Sequence, residues 1–133
     1  MITSIHPVDL DNYVERDLIR TQTHPTHPQL VILNYTREAQ YERKWTDLTL
    51  SARGLVIDSD TNEVVARPFS KFFNLSEPEC IKVDPDEPYT LWEKMDGWLG
   101  ILFCYKGEWI WATRGSFTTE QSKWAAQHFE ENY

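Results

Sequence analysis

Cysteine is scarce here: Cys80 and Cys104 are the only two in 133 residues. They lie far apart with no Cys-x-x-Cys spacing, which argues against a disulfide framework and against a dithiol redox or zinc motif. Both sit beside apolar residues in strand-like segments, and that setting predicts two buried free thiols. Positive charge is also short. Thirteen Lys and Arg face 21 Asp and Glu, for a formal net charge of −8. A surface of that sign repels polyanions as a whole and disfavours sequence-independent nucleic-acid binding, although a local basic cleft remains compatible with it. No secretory apolar core and no membrane-length apolar run occurs, which predicts a cytoplasmic protein without a membrane partner. Internal repeats and low-complexity segments are lacking as well.

What is present describes a folded domain. Hydrophobic residues make up 41% and charged residues 26%, with six tryptophans, so a packed core is expected. The length suits one domain, residues 1–133, yet is small for an enzyme that holds two substrates. Leu10, Tyr13, Val14 and Leu18 fall near helical spacing, with Asp9 and Asp11 at the favourable end, predicting a helix over Asp9 to Arg20. Thr23 to Pro28 reads as a loop because each proline disfavours helix for its predecessor. His24 and His27 in that loop are metal-ligand types but lack further clustered ligands.

Leu30 to Tyr35 reads as a strand, and Thr36 to Thr46 is open between helix and loop. Leu55–Ile57 and Val64–Ala66 flank the turn formers Asp58 to Asn62, which predicts a hairpin. Ser76 to Pro88 is a Pro- and acid-rich surface excursion with a short strand around Cys80 to Val83. Strands are expected at Tyr89–Trp92, Leu99–Tyr105 and Trp109–Thr113, with Lys106-Gly107 turning the last pair. Thr118 and Gln121 have capping-box spacing ahead of a helix carrying Trp124, Ala125, His128 and Phe129 on one face. The fold class is therefore α+β, a mostly antiparallel sheet with flanking N- and C-terminal helices.

Chemistry concentrates at Trp92-Glu93-Lys94-Met95-Asp96-Gly97-Trp98, a charged tetrad between segments that read as core. One reading is an Asp-Gly hairpin turn with Glu93 and Lys94 as solvated shoulders. Three other strings weigh against it: Arg53-Gly54 before the first hairpin strand, Arg67 to Asn74 after the second, and Thr113-Arg114-Gly115 after the last. A guanidinium offers a planar fork to phosphate oxygens and an ammonium a movable point charge, so Arg53, Lys71 and Arg114 together suit a polyphosphate. Taken singly, each is equally a surface cation paired to one of the many acids.

Lys94-Met95-Asp96-Gly97 has the Lys-x-Asp-Gly form of the covalent nucleotidyltransferases. Ala52-Arg53-Gly54-Leu55-Val56 and Ala66-Arg67-Pro68-Phe69-Ser70-Lys71-Phe72-Phe73-Asn74-Leu75 precede it in order, and Thr113-Arg114-Gly115-Ser116 follows. Together these resemble the phage T4 RNA ligase 1 family over about Leu30 to Gln121. The resemblance implies the ATP-binding half of the nucleotidyltransferase, ATP-grasp-like ligase fold. It implies Lys94 as the nucleophile that takes AMP from ATP, with Arg53 and Lys71 on the phosphates and Mg²⁺ assisting. Glu93 and Gly97 would shape the nucleotide pocket, Asp96 would orient the loop or the lysine, and Phe73 would pack beneath the site. Arg114 stands where the family has a basic residue before glycine. A lysine flanked by Trp92 and Trp98 near other cations would have its amine favoured by desolvation and like charge.

Family elements expected after the lysine are missing: the chain has no Glu-Gly and no Lys-x-Lys. The metal-binding acid is therefore not present, and the adenylyltransferase domain reads as incomplete, lacking its C-terminal motifs. A truncated chain, a split gene product that needs a partner chain, and a shortened relative are the three explanations. Retention of Glu93, Lys94 and Asp96 favours the first two. The functional expectation is an ATP-dependent RNA ligase, or a fragment of one, joining RNA 5′-phosphate and 3′-hydroxyl ends through lysyl-AMP and weakly active or inactive alone. The alternatives are a non-catalytic nucleotide- or RNA-binding module and a structural protein with an aromatic docking surface.

Overall fold

The computed structural model describes all residues 1–133. Helix α1 spans Pro7–Glu15, with proline in its first turn and the His6 ring accepting from the amide of Val8. It ends sooner than the helical spacing of Leu18 suggests. Asp17 takes φ 54°, turning the chain so that Leu18 and Ile19 enter the core. Ile19 opens strand β1, Ile19–Thr23, where the sequence predicts a helix as far as Arg20 and a loop from Thr23. Its backbone groups are satisfied by antiparallel pairing with β2, Leu30–Tyr35, a long-range partner invisible to local periodicity.

One short helix falls within Thr36 to Thr46, the stretch left open between helix and loop, and a second follows directly after it. Helix α2, Arg37–Tyr41, is capped by Thr36, and α3, Asp47–Ser51, by a Thr46/Thr49 capping box. Strands β3, Arg53–Asp58, and β4, Glu63–Ala66, form the expected hairpin. The first sheet has the order β1-β2-β3-β4, with every neighbouring pair antiparallel.

Strands β5, Gly100–Tyr105, and β6, Glu108–Thr113, form a second, two-stranded sheet. Lys106 and Gly107 both have positive φ, 49° and 84°, as a two-residue turn of the hairpin type requires. The inner β-branched strands β2 and β3 are buried on both faces. On one face Leu30, Ile32, Val56 and Ala66 pack with Ile101, Phe103, Ile110 and Ala112 of the second sheet. On the other, Leu33, Leu55 and Ile57 pack with Ile5 and Leu48. At about 25 cal/mol per Å² of buried apolar surface, these two layers carry the main favourable term in folding. Helix α4, Glu120–Asn132, lies on β6 through Phe129 against Trp109 and Trp111. Its cap is Thr119, accepting from the amide of Ser122, one residue beyond the expected Thr118.

Residues 67–99 contain no helix or strand. The strands expected at Cys80–Val83 and Tyr89–Trp92 are absent, because no partner strand lies alongside to complete a ladder. Tyr89, Leu91 and Trp92 are instead exposed. The thiols also differ from expectation. Cys104 points outward between the inward-facing Phe103 and Tyr105, as the pleat demands, and Cys80 is half-buried in a turn. Both are free. The fold is thus α+β with antiparallel sheets and flanking helices, and no helix is long and apolar enough to cross a membrane.

Candidate nucleotide-binding site

The two sheets approach closely at Gly54. Its φ is +85°, and a Cβ there would lie 3.0 Å from Cδ1 of Ile101 and 3.1 Å from Cα of Arg114. Only glycine combines that backbone with that approach. The buried Asn34 locks the junction from β2, its Nδ2 donating to the carbonyl oxygen of Arg114 at 2.8 Å. Asn34 is also the register partner of Arg53, across an irregularity in the β2–β3 ladder. Arg53 at the start of β3 and Arg114 after β6 are therefore brought together from strand ends 61 residues apart in number (114 − 53).

Aromatic rings extend this junction. The Arg114 guanidinium lies 4.9 Å from the Tyr35 ring centroid. Tyr35 meets Trp45 edge-on at 5.2 Å, and Trp45 meets Phe73 at 5.4 Å. The Lys71 ammonium sits 4.9 Å from Phe73 and 5.9 Å from Trp45, while its backbone amide donates to Leu50 at 2.8 Å. Arg53 rests on the neighbouring Phe72 at 5.2 Å. Each cation–π contact contributes about 0.5–1 kcal/mol at such exposed sites, enough to orient a flexible side chain.

Each of the three cations thus rests on an aromatic ring, Lys71 and Arg114 on rings joined through Trp45 and Arg53 on Phe72. In a chain with 21 acids, none of the three has a carboxylate within ion-pairing distance. That leaves their charge available to an anion, and planar rings beside it suit a base or sugar. Phe73 packs beneath the Lys71 ammonium. Tyr35, Trp45 and Asn34 escaped the sequence reading. Their signal was faint: a lone tryptophan in a polar stretch and two residues closing a strand.

The tetrad lies elsewhere. Lys94 is 76% exposed, and its Nζ lies 3.9 Å from the exposed Asp96 carboxylate. Glu93 is exposed, and Gly97 takes φ +149° with nothing within 4 Å of where a Cβ would lie. Trp92 and Trp98 were expected to desolvate the lysine but are 86% and 72% exposed, since residues 89–98 make no backbone hydrogen bond that would fold them inward. The structure therefore places Arg53 beside Arg114 at the sheet junction, links Lys71 to Arg114 through the rings of Trp45 and Tyr35, and leaves Glu93, Lys94, Asp96 and Gly97 on an exposed strap.

Nothing here forms a metal cage. No three of His, Cys, Asp or Glu are grouped as ion ligands. His24 Nδ1 accepts from the amides of Thr26 and His27, which gives it a loop-shaping role. His27 Nε2 lies 2.8 Å from Glu108, tying the β1–β2 loop to β6. Asp58 and Glu108 thus serve inter-sheet contacts, Asp58 through a 2.6 Å hydrogen bond from the Tyr105 hydroxyl.

The RNA ligase family of the T4 RNA ligase 1 type matches residues 51–133, a span holding Arg53, Lys71, Lys94 and Arg114. The chain is 32% identical over 123 residues to a protein named as a bifunctional polynucleotide kinase/RNA ligase of Autographa californica nuclear polyhedrosis virus. That match covers 85% of this chain and 16% of the viral protein. It is 38% identical over 71 residues to RNA ligase 1 of bacteriophage TS2126, covering 48% of this chain and 18% of the phage protein. In each case the match spans less than a fifth of the relative's length. On the span of the family match and its agreement with the four motif strings, the chain belongs to the T4 RNA ligase 1-type family of RNA ligases.

Proposed function

We propose that this chain carries the ATP-binding half of an ATP-dependent RNA ligase, with Lys94 as the residue adenylylated. The cluster of Arg53, Lys71 and Arg114, unpaired with any acid and mounted on Tyr35, Trp45, Phe72 and Phe73, supports the reading most directly. These cations would bind the ATP phosphates. The unprotonated Lys94 amine would attack the α-phosphorus, forming a P–N bond as the P–O bond to pyrophosphate breaks and the amine releases its proton. Developing charge on pyrophosphate would be met by the same cations. An RNA 5′-phosphate would then displace the lysine to give adenylylated RNA, and a 3′-hydroxyl would displace AMP.

Lys94 would reach the phosphates by movement of the strap. Residues 89–98 make no backbone hydrogen bond, so folding inward breaks no ladder. Mg²⁺ would shield the triphosphate, but the side chains present do not form an ion cage. The remaining ligands would come from family elements beyond these residues, in line with the fraction of the relatives that the chain spans.

The test is incubation with ATP and Mg²⁺, followed by mass spectrometry of peptides at neutral pH. An AMP adduct on Lys94, absent from Lys94→Ala, is expected once the remaining ligase segments are supplied. No adduct under that condition sinks the proposal. The exposed position of Lys94 favours one alternative, a non-catalytic nucleotide- or RNA-binding module. Saturable ATP binding in calorimetry, unchanged in Lys94→Ala and never accompanied by an adduct, would establish it.

A further inference from the structure

Beside the platform lies a cleft of about 480 Å³ in which Lys71 and Phe73 meet residues that belong to none of the family strings. Lys71, Trp45 and Phe73 form the wall it shares with the platform. Arg37, from the first turn of α2, and Arg43, from the turn after it, supply the rest of its charge, and Tyr41 stands exposed at its edge. Arg43 has φ 53°, a left-handed backbone that costs a non-glycine residue energy, yet it is what swings the chain back to place Trp45. Arg37 has no ion-pair or hydrogen-bond partner. The Arg43 guanidinium uses only Nη1, on both carboxylate oxygens of Glu79, which leaves Nε and Nη2 unengaged.

We propose that this cleft holds the 5′-phosphate end of single-stranded RNA, with the phosphate between Arg37 and Arg43 and the terminal nucleotide against Tyr41 and Trp45. Three cations, the exposed Tyr41 and the half-buried Trp45 are the chemistry that binds unpaired nucleotides, and a terminal phosphate carries more charge than an internal one; the one carboxylate in the lining, Glu77, accepts from the amide of Asn74. The cleft opens onto Lys71, so a phosphate held there adjoins the proposed site of the ATP phosphates. Its size is within the range of small-ligand pockets. In a chain of net charge −8, the cleft also supplies the local basic surface that RNA binding requires. Glu79 is the competitor: it occupies part of Arg43 until a phosphate replaces it. The inference rests on the ligase reading for the role of the bound end, but its binding site is separate from Lys94.

The experiment measures anisotropy of a short, 3′-labelled oligoribonucleotide carrying either 5′-phosphate or 5′-hydroxyl, at low salt, with ATP affinity measured in parallel by calorimetry. The phosphorylated form is expected to bind about tenfold more tightly, the yield of one charge-assisted contact. Arg37→Ala should abolish most of that preference with an unchanged melting temperature, because Arg37 supports no other residue. Glu79→Gln should increase it by freeing Arg43, a gain that misfolding does not produce. Equal affinity for the two oligonucleotides overturns the proposal, as does a preference untouched by both variants. An equal fall in ATP affinity in Arg37→Ala also overturns it, since the arginine would then serve the triphosphate. Absence of ATP binding or of the Lys94 adduct, with the 5′-phosphate preference intact, would count against the ligase reading alone.

Discussion

The side-chain amide of Asn34 donates a 2.8 Å hydrogen bond to the carbonyl oxygen of Arg114, so a buried residue of one sheet sets where a cation of the other begins. Removing it leaves that partly buried carbonyl without its donor. Asn34→Ala is expected to cost about 1–3 kcal/mol of stability in urea titration. It should also weaken ATP binding, since Arg114 loses its anchor above Tyr35. Full ATP affinity in a destabilised Asn34→Ala protein would show that Arg114 needs no such placement.

Two glycines separate strain from crowding. Gly54 and Gly107 share almost the same φ, +85° and +84°, but a Cβ on Gly54 meets Ile101 and the Arg114 backbone, whereas one on Gly107 meets nothing within 4 Å. Gly107→Ala should therefore cost only the backbone term, about 1 kcal/mol. Gly54→Ala should cost clearly more and lower ATP affinity by pushing the sheets apart. Equal destabilisation by thermal melting would mean the junction yields freely.

Acid should unfold the protein in two stages. Burial, reinforced by neighbouring His27 and opposed by Glu108, holds His24 below the ordinary histidine value of 6.5. The Tyr105 hydrogen bond, helped by the amides of Asp60 and Thr61 against desolvation, holds Asp58 below the ordinary 3.8. Both folded-state values lie below the unfolded ones. Each contribution is thus complete above the unfolded value and lost as pH falls through the folded one. Stability measured against pH should first decline below about 6.5, where His24 Nδ1 must give up its two backbone donors, and again below 3.8.

Tyr105→Phe removes the largest cause of the Asp58 depression while leaving the ring in the core. The acid limb assigned to Asp58 should move to higher pH. Neutral stability should fall by roughly 1–3 kcal/mol, the worth of a hydrogen bond to a buried charged group. An unmoved acid limb would assign that stage to another carboxylate.

Lys71→Ala and Lys94→Ala should behave differently in ATP calorimetry. Lys71 belongs to the aromatic platform, and its loss is expected to weaken binding by about tenfold or more, the worth of one charge-assisted contact. Lys94 stands 76% exposed on the strap, so Lys94→Ala should leave affinity nearly unchanged while abolishing any adduct. A large affinity loss in Lys94→Ala would mean that the strap closes before ATP is held.

Much of this molecule was legible in the residues themselves. The Leu55–Ile57 and Val64–Ala66 runs around Asp58 to Asn62, the Lys106-Gly107 turn and the helix carrying Trp124 and Phe129 are local patterns whose turn and periodicity chemistry is complete within a few residues. The motif strings around Arg53, Lys71 and Lys94, likewise contiguous, were enough to indicate the family before any coordinates. Only tertiary structure decided the rest. Strand β1 exists because β2 pairs with it, and Tyr89–Trp92 is not a strand because nothing pairs with it. Arg114 stands beside Arg53 because Gly54 has no side chain and Asn34 has one, and Lys71 joins them through Trp45, a ring in a stretch whose sequence had no period. Backbone pairing and inter-sheet packing act between residues distant in sequence, and local pattern carries no record of them. The motif lysine shows the limit: its place in the sequence was plain, but its exposure 3.9 Å from Asp96 was set by a strap that no ladder holds.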